Sequence, residues 1–516
     1  WRGVPPPPPS TLLLERRKTT RKPEMKRTQT LTLIALVTLL LASLLASSAA
    51  GSARAARLSL QISPVWELYP GLDEQGVRLG WAVAGAGKVN GDNYADILVG
   101  ADKGGSDRQG WAGLFLGSSG GPQSMAAWQV IGEKKGDLFG GAVDGAGDVD
   151  HDGYADVIIG ASNYEGLAPS DQAGEGAAYV YLGGESGLEL TPAWKVEGDL
   201  QAGRLGAAVA GVGYVNGDEY ADVIVGMPGY VNGTLINSGA AFVYFGTADG
   251  PNPAYGWIDI GEQAGGQYGR EVNAAGDVNG DGYDDVLVGE PYYNNNIYAD
   301  AGAVYLYLGN QFSLSNVHAW SYIGTWGDDR LGTSASGVGD LNHDGCDDIA
   351  VGAPGYNIST DLSNAGKVYV FYGCQATLSG LNDLPDWEFS IEQTGANVGI
   401  DVSGAGDTND DEYADLLVGA HLYDDEQANE GVVYAFFGGP DGLAPMPSWQ
   451  AEGNKNDTYF GYAVDGAEDT NNDGYADVLI GAPTFRVNEI IKGAAFVYLG
   501  SQQAVIHHIN LPFIRK

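Results

Sequence analysis

Residues 139–160 read FGGAVDGAGDVDHDGYADVIIG, and this stretch decides the fold. An apolar residue and a glycine open it, an aspartate stands sixteen residues after that glycine, and a short β-branched run follows. The same order and the same offset occur seven times in the chain. The glycine–aspartate pairs are Gly80/Asp96, Gly140/Asp156, Gly206/Asp222, Gly269/Asp285, Gly332/Asp348, Gly399/Asp415 and Gly461/Asp477. Self-similarity at a nearly fixed period indicates a repeat architecture.

Each repeat continues beyond its aspartate in the same way. The β-branched run is typical of a strand, and a polar loop of variable length separates it from an alternating strand such as Ala177–Leu182, Ala240–Phe245, Ala303–Leu308 or Ala494–Leu499. A further strand begins at Trp128, Trp194, Trp257, Trp320, Trp387 or Trp449. Four-stranded units repeated radially form a β-propeller, because ring closure removes long exposed sheet edges. The sequence therefore predicts an all-β fold, a seven-bladed β-propeller of four-stranded antiparallel blades over residues 57–503.

The closure of the ring is also predicted. The seventh repeat ends at Gly500 with no Trp-bearing strand after it, whereas an isolated strand, Ser63–Leu68 around Trp66, precedes the first repeat. We therefore expect the N-terminal strand to complete the last blade. In the alternative, Ala504–Leu511 of a C-terminal tail (504–516) supplies that strand, although it lacks both the Trp and the preceding turn.

The beginning of the chain has the composition of a targeting segment. Residues 25–27 read Met-Lys-Arg, a mostly apolar run covers residues 31–45, and small residues follow. This is the order of regions in a secretory signal peptide. We interpret residues 1–24 as an upstream extension.

Residues 25–56 are the predicted signal peptide, with cleavage after Ala50 or after Ala56. The alternative is an uncleaved anchor helix, because the apolar run approaches the minimum length that spans a bilayer. Cleavage leaves a chain with no membrane span, which we expect to be secreted or at the cell surface, outside the cytoplasm.

The charge of the remaining chain is strongly negative. Residues 58–516 hold 16 basic and 64 acidic side chains. Such a surface repels phosphate backbones, so we expect no nucleic-acid partner. It favours the binding of cations, and a divalent metal is the obvious candidate.

Five of the repeats carry a carboxylate-rich loop ahead of the aspartate. Side-chain oxygens stand at loop positions 1, 3, 5 and 9, and the carbonyl group of position 7 can add another oxygen. Six or more oxygens suit Ca²⁺, whereas Mg²⁺ prefers rigid octahedral sites. Position 12 is apolar, which excludes an EF-hand. The sequence predicts about five calcium sites with these ligands: Asp148, Asp150, Asp152, Tyr154 and Asp156; Asp277, Asn279, Asp281, Tyr283 and Asp285; Asp340, Asn342, Asp344, Cys346 and Asp348; Asp407, Asn409, Asp411, Tyr413 and Asp415; Asp469, Asn471, Asp473, Tyr475 and Asp477.

Two loops depart from this pattern, because Lys88 and Tyr214 occupy position 1. We expect weak binding or none at their remaining candidate ligands, which are Asn90, Asp92 and Asp96 in one loop and Asn216, Asp218 and Asp222 in the other. The alternative for all seven loops is that acidic turns are merely solvated. Where calcium binds, we expect its role to be structural.

The motifs resemble a known family. The Phe139-Gly140 opening, the Asp-x-Asn-x-Asp-Gly-x-x-Asp loops and the Val-Gly-Ala-Pro sequence at 351–354, echoed at 480–483, are similar to FG-GAP repeats. These repeats build the seven-bladed head of integrin α chains, and the resemblance covers about residues 63–500. It implies calcium loops between the first and second strands on the lower face and ligand binding on the upper face. We expect a stand-alone secreted form rather than a heterodimeric receptor.

Aromatic residues are frequent in the loops that follow the second strand of each repeat. These loops are expected to share one face of the ring, where exposed aromatic side chains make good anchors for a protein or a carbohydrate ligand. The alternative is that each ring packs on its own loop. The residues concerned are Tyr164, Tyr230, Tyr292, Tyr293, Tyr298, Tyr356, Tyr423 and Phe485.

The two cysteines lie in one repeat. Cys346 replaces the loop tyrosine of the fifth repeat, and Cys374 ends its third strand. Antiparallel pairing of the second and third strands places both at the same end of the sheet, so we expect a disulfide. The alternative is two unrelated buried thiols.

No catalytic residues are predicted, since the sequence has neither a nucleophile elbow nor a His-Glu-x-x-His motif. The predicted function is a secreted, monomeric, calcium-binding propeller that acts as a protein- or glycan-binding module of the adhesion type. One alternative is an extracellular enzyme on the same scaffold that acts on a polysaccharide or a lipid. An inert structural module is the other.

Overall fold

The protein is described here from a computed structural model, which covers residues 63–69, 76–166, 173–377, 379–425, 427–488 and 490–501. The chain divides into two units, Trp1–Arg57 and Leu58–Lys516, and these residues belong to the second. The predicted extension, signal peptide and C-terminal tail lie outside the described residues. In the part that the structure covers, no helix has the length and hydropathy needed to cross a bilayer.

Seven four-stranded antiparallel sheets follow the seven repeats, which confirms the predicted propeller. The first, innermost strands are Ala82–Gly87, Phe139–Gly147, Val209–Gly213, Glu271–Gly276, Ser334–Gly339, Val402–Gly406 and Ala463–Glu468. The second strands are Asp96–Ala101, Asp156–Ala161, Asp222–Met227, Asp285–Glu290, Asp348–Ala353, Asp415–Ala420 and Asp477–Ala482. The third strands are Trp111–Phe115, Ala177–Tyr181, Ala240–Tyr244, Ala303–Tyr307, Lys367–Phe371, Val432–Phe437 and Ala494–Tyr498. The outermost strands are Trp128–Ile131, Trp194–Glu197, Trp257–Ile260, Trp320–Ile323, Trp387–Phe389, Trp449–Glu452 and, for the seventh blade, Trp66–Leu68.

Two short hairpins extend these blades. Gly309–Asn310 pairs with Ser313–Leu314, and Arg486–Val487 pairs with Ile490–Ile491. We call the face that carries the loops between first and second strands and between third and fourth strands the lower face. The upper face carries the loops between second and third strands and those that lead into the next blade.

The N-terminal strand closes the ring, as the sequence predicts. Trp66–Leu68 pairs antiparallel with Ala494–Tyr498, with Trp66 opposite Val497 and Leu68 opposite Ala495. The chain therefore begins and ends its ring within one sheet.

Tryptophan side chains join each blade to the next. Each outer-strand indole meets an aromatic ring of the following blade edge to face, with ring centroids 4.7–5.1 Å apart. Such pairs contribute about 0.5–1.5 kcal/mol beyond the area they bury. Trp66 and Phe115 form the pair that joins the seventh blade to the first. The seven pairs are Trp66–Phe115, Trp128–Tyr181, Trp194–Tyr244, Trp257–Tyr307, Trp320–Phe371, Trp387–Phe436 and Trp449–Tyr498.

A glycine ahead of each third strand receives the opening residue of the next blade. Gly110 forms a parallel bridge with Phe139, and Gly493 forms the equivalent bridge with Leu79 across the ring closure. Gly110 has a φ of 94°, and a Cβ atom there would lie 2.0 Å from the Phe139 carbonyl oxygen. Only glycine permits this approach, because both the conformation and the space exclude a side chain.

Candidate functional site

The carboxylate-rich loops join the first and second strands of their blades on the lower face. In the second blade the Asp148 carboxylate accepts hydrogen bonds from the backbone N–H groups of Asp152 and Gly153, both at 2.9 Å. Asp152 in turn accepts from the N–H of Tyr154. Gly153 adopts a φ of 96°, which suits glycine. The side chains thus fold the loop around its own carboxylates.

The aspartate at loop position 9 accepts the same two backbone hydrogen bonds in all seven blades. Asp156 is fully buried, and its two oxygens accept 2.7 Å hydrogen bonds from the N–H groups of Val149 and Gly183. Burial raises its pKa to about 7, against the lowering effect of these hydrogen bonds. The equivalent donors are Val89 and Gly117 for Asp96, Val215 and Gly246 for Asp222, Val278 and Gly309 for Asp285, Leu341 and Gly373 for Asp348, Thr408 and Gly438 for Asp415, and Thr470 and Gly500 for Asp477.

These bonds explain why position 9 is an aspartate even where position 1 is not. In the first and third blades, where Lys88 and Tyr214 hold position 1, the buried carboxylate still ties the loop to the end of the third strand. The Tyr214 N–H donates to Asp284 of the next blade at 2.6 Å. The recurrence of position 9 therefore has a structural cause that is independent of metal.

The loops that retain position 1 have the donor set of a hard cation. In the second blade, carboxylate oxygens of Asp148, Asp150 and Asp156 all lie within 4.8 Å of one another. Burial, followed by repulsion from Asp152, raises the pKa of Asp150. In the sixth blade Asn409 is only 3% exposed, yet neither its Oδ1 nor its Nδ2 atom has a hydrogen-bond partner. A buried amide without a partner is rare in folded proteins, and the Asn409 Oδ1 atom is chemically suited to be a cation ligand.

Backbone hydrogen bonds connect these loops from blade to blade. The N–H of position 8 donates to the carbonyl oxygen of position 1 in the preceding blade, as from Ala155 to Lys88 at 3.0 Å. Ala95 donates to Asp469 at 3.1 Å and so links the first blade to the seventh. Further bonds of this kind run from Ala221 to Asp148, Asp347 to Asp277, Ala414 to Asp340 and Ala476 to Asp407. A cation that orders one loop therefore acts on a contact between two blades.

The two cysteines form a disulfide, as the sequence predicts. Cys346 and Cys374 are bonded, with Cα atoms 5.5 Å apart. Asp344 lies close to both sulfur atoms. Because both thiols are consumed, this group offers no thiolate ligand, and only the carbonyl oxygen of Cys346 remains for a metal.

The aromatic residues proposed for the upper face are mostly packed inward. Tyr164 and Phe485 are buried. Tyr230, Tyr356 and Tyr423 are half-buried and pack against the cores of their blades. Tyr292, Tyr293 and Tyr298 are also half-buried.

The exposed apolar side chains of the upper face were not identified from the sequence. Among them are Trp326, at 53% exposure, Ile297, at 80%, and Ile236, at 65%. The break in the repeat pattern at Trp326, a tryptophan outside an outer strand, was the available signal.

The propeller axis holds a polar cavity of about 350 Å³, lined by the beginnings of the innermost strands. Four of its side chains are acidic: Asp144, Glu271, Asp401 and Asp465. Asp401 accepts hydrogen bonds from the Ser334 hydroxyl and the Val464 N–H, both in neighbouring blades. Burial raises the pKa of Asp401 to about 7 and that of Asp465 to about 6.

Below these carboxyl groups the inner strands come too close for side chains. A Cβ atom at Gly211 would lie 2.3 Å from the Gly145 carbonyl oxygen, and one at Gly85 would lie 2.6 Å from that of Gly466. The cavity therefore narrows sharply towards the lower face.

Comparison with known proteins agrees with this architecture. The FG-GAP repeat family matches residues 139–181, 271–307, 332–371 and 460–499. The chain is thus a seven-bladed β-propeller, and four of its blades match the FG-GAP repeat.

Its relatives include phospholipases D and integrin alpha chains. It is 31% identical to human phosphatidylinositol-glycan-specific phospholipase D over 223 residues, which is 41% of this chain and 26% of that protein. It is 34% identical to chicken integrin alpha-6 over 161 residues, 31% of this chain and 14% of the integrin. With integrin alpha pat-2 of Caenorhabditis elegans it shares 29% identity over 277 residues, 50% of this chain and 21% of the other. The matched part of the chain thus spans about a quarter or less of these relatives.

Proposed function

We propose that this protein is an extracellular, calcium-stabilised propeller that binds a protein ligand on its upper face, as an adhesion-type module. The observation that carries the proposal is the similarity of its repeats to integrin alpha chains, in a ring whose upper face exposes Trp326 and Ile297. Exposed rigid aromatic side chains are characteristic of interaction anchors.

The calcium part of the proposal is supported by the loops of the lower face. Their clustered carboxylates repel one another, and a bound cation offsets that repulsion. Extracellular modules bind Ca²⁺ with Kd values of roughly 10⁻⁴–10⁻³ M. We expect the carboxylates of positions 1, 3, 5 and 9 and the carbonyl of position 7 to hold the ion, which supplies rigidity rather than chemistry.

The extracellular part is supported by the disulfide and by the expected signal peptide. Disulfides persist in oxidising compartments and are rare in the cytosol. Both cysteines of the chain are used in this one bond.

The test is a binding screen of the full chain against arrays of matrix proteins and of glycans. Each array is probed in millimolar Ca²⁺ and again after EDTA. The proposal expects protein binding that weakens on chelation, and it fails if no arrayed protein binds. Binding to glycans alone would replace the protein ligand with a carbohydrate.

A second candidate is an extracellular lipid-acting enzyme or the propeller of one. The similarity to phosphatidylinositol-glycan-specific phospholipase D favours it, and the carboxyl groups of the axial cavity offer acid–base candidates. The hydrogen-bond donors to these carboxyl groups are backbone N–H groups and serine hydroxyls of adjacent blades. This arrangement fits a structural role, in which the carboxyl groups hold neighbouring inner strands together, better than catalysis. Release of a phosphatidylinositol-glycan-anchored reporter, abolished in Asp401→Asn, would establish the enzyme. Absence of release would leave the binding module.

A further inference from the structure

We infer that Trp326, Tyr298 and Ile297 form the anchor point of the upper face and that it takes an apolar side chain of a protein segment flanked by basic residues. The inference rests on the proposed function and deepens it. We call these three residues the Trp326 patch. It lies where the loop from the second to the third strand of the fourth blade meets the loop into the fifth blade.

The two rings of the patch pack together, and two of its three residues are exposed. The Trp326 and Tyr298 rings lie with centroids 5.6 Å apart and planes inclined at 41°. Ile297, adjacent to Tyr298, is 80% exposed, and Trp326 is 53% exposed. Single exposed apolar residues are common, but adjoining aromatic and aliphatic ones mark interaction sites.

The loops that carry the patch are fixed before any ligand arrives. The N–H of Tyr298 donates to both the backbone and side-chain oxygens of Asn295, and the Asn295 amide donates to the Gly324 carbonyl at 2.8 Å. Trp326 donates its backbone N–H to the buried Asp329 carboxylate at 2.9 Å. Because the loops are already ordered, binding here costs little conformational entropy.

A third loop is fastened to the same assembly. Gln263 donates to the carbonyl oxygen of Asn294 at 2.9 Å and accepts from its N–H at 3.0 Å. The Asp328 N–H donates to the Ala299 carbonyl, which joins the two loops of the patch directly.

The patch offers apolar surface to an aliphatic or aromatic side chain. The Trp326 and Tyr298 rings are inclined at 41°, and Trp326 is 53% exposed, so part of its indole stays open to a ligand. Asn295 and Gln263 use both ends of their amides within the protein, so these two side chains are not free to bind a sugar. We therefore expect a peptide side chain here rather than a sugar.

The charge around the patch selects a basic partner. Glu262 and Asp328 are exposed and Asp300 is half-buried, whereas the nearby cation Arg330 lies over the Tyr292 ring, 5.8 Å from its centroid. Electrostatic complementarity mainly speeds association and rejects partners of the same sign. An apolar residue between lysines or arginines therefore fits this surface.

The test uses a phage-displayed library of random twelve-residue peptides, selected on the full chain in Ca²⁺. We expect recovered peptides to carry an apolar residue flanked by Lys or Arg. One synthetic peptide from the selection is then titrated against wild type, Trp326→Ala, Ile297→Ser and Phe312→Ala. Phe312 is the matched control, because it is 75% exposed but lies in the hairpin of the lower face.

We expect Trp326→Ala to weaken peptide binding about 30-fold, the loss typical of a central anchor. Ile297→Ser should weaken it several-fold, and Phe312→Ala should change it less than twofold. Unchanged melting temperatures show that the variants fold. Peptide binding unaffected by Trp326→Ala overturns the anchor while the proposed function stands.

Failure to recover any peptide also overturns the assignment of the Trp326 patch as an anchor. If, in addition, no protein on the arrays binds, the proposed function is overturned as well. Glycan binding that is lost in Trp326→Ala would contradict the peptide assignment and make the patch a carbohydrate site.

Discussion

Replacing Trp66 with alanine tests whether the N-terminal strand closes the ring. Trp66 is buried, contacts Phe115 of the first blade edge to face at 5.1 Å, and donates its indole N–H to the Gln123 carbonyl at 3.0 Å. Its strand has only three residues and no covalent link to its neighbour in the sheet. The substitution therefore removes the main side-chain contact between the seventh and first blades in this strand.

The expected loss of stability is large. Truncation of a buried Trp to Ala costs about 3–5 kcal/mol, and this includes roughly 0.5–1.5 kcal/mol for the aromatic pair and about 1 kcal/mol for the hydrogen bond. At roughly 1 °C per kcal/mol for a domain of about 440 residues, the melting temperature should fall by about 3–5 °C.

Hydrogen exchange measured by mass spectrometry separates loss of closure from ordinary loss of core. Trp320→Ala is the matched control, because Trp320 contacts Phe371 at 4.7 Å and donates to the Asn382 carbonyl at 2.9 Å in a blade whose strands are continuous in the chain. Both variants should melt earlier, but only Trp66→Ala should accelerate exchange in the peptides over 63–68 and 494–498. A wild-type melting temperature for Trp66→Ala, or equal acceleration in both variants, would refute the closure argument.

Three further predictions concern the metal, the disulfide and the axial carboxyl groups. Calcium at about millimolar concentration should add roughly 1.4 kcal/mol to the free energy of unfolding per occupied site of Kd about 10⁻⁴ M, so EDTA should lower the melting temperature. Native mass spectrometry should show one bound ion fewer in Asp150→Ala than in the wild type and no change in Asp92→Ala. An equal ion count in the wild type and both variants would contradict the site. Reduction of Cys346–Cys374, which closes a loop with a sequence separation of 28, should cost roughly 3–4 kcal/mol, measured as a lower midpoint in urea for the Cys346→Ser/Cys374→Ser double variant. Burial raises the pKa of Asp401 to about 7, with Asp465 and Glu271 as the nearby acids, so the folded state holds a proton that the unfolded state releases near pH 4. The stabilisation by that proton is complete below about pH 4 and is lost as the pH rises through about 7. Asp401→Asn should therefore show a smaller fall in melting temperature over this range than the wild type. Parallel plots of melting temperature against pH for the wild type and Asp401→Asn would disprove the prediction.

The repeat pattern was sufficient to predict the blades because every strand is marked by residues that the fold needs at that place. The sixteen-residue offset fixes the first two strands, since Asp156 and its equivalents must reach one backbone donor in their own loop and another just after the third strand. The Trp at the start of each outer strand fixes the blade boundary, since its ring packs on the next blade. Ring closure could be predicted because the seventh repeat lacks a Trp-bearing outer strand, whereas an additional strand around Trp66 precedes the first repeat.

The predicted calcium loops rest on the spacing of their oxygen-bearing residues, and that spacing combines two possible roles of position 9. In the second blade positions 1, 3 and 9 form the carboxylate cluster. Position 9 also holds the loop to the end of the third strand in blades where Lys88 or Tyr214 replaces position 1. Spacing cannot separate these roles, because both require an aspartate at one place.

The upper face was the least predictable part. Tyr164 and Trp326 are both aromatic residues in loops, and their burial depends on neighbours that are distant in the chain. Tyr164 is buried beside Lys195, 4.2 Å above its ring, and Glu133 accepts a hydrogen bond from its hydroxyl. Trp326 pairs with Tyr298 and stays 53% exposed. No local pattern encodes that difference.

The pairing of the N-terminal and C-terminal strands in the seventh blade also determines how the protein can be immobilised on a surface. The strand that starts at Trp66 and the one that finishes at Tyr498 both have their free extremities on the lower side, where the Ser501 N–H donates to the Thr408 carbonyl. A biotin handle or surface linker attached close to Trp66 or Ser501 therefore leaves the Trp326 side pointing away from the support. Sensor chips and display particles prepared in this way can present that side without further orientation chemistry.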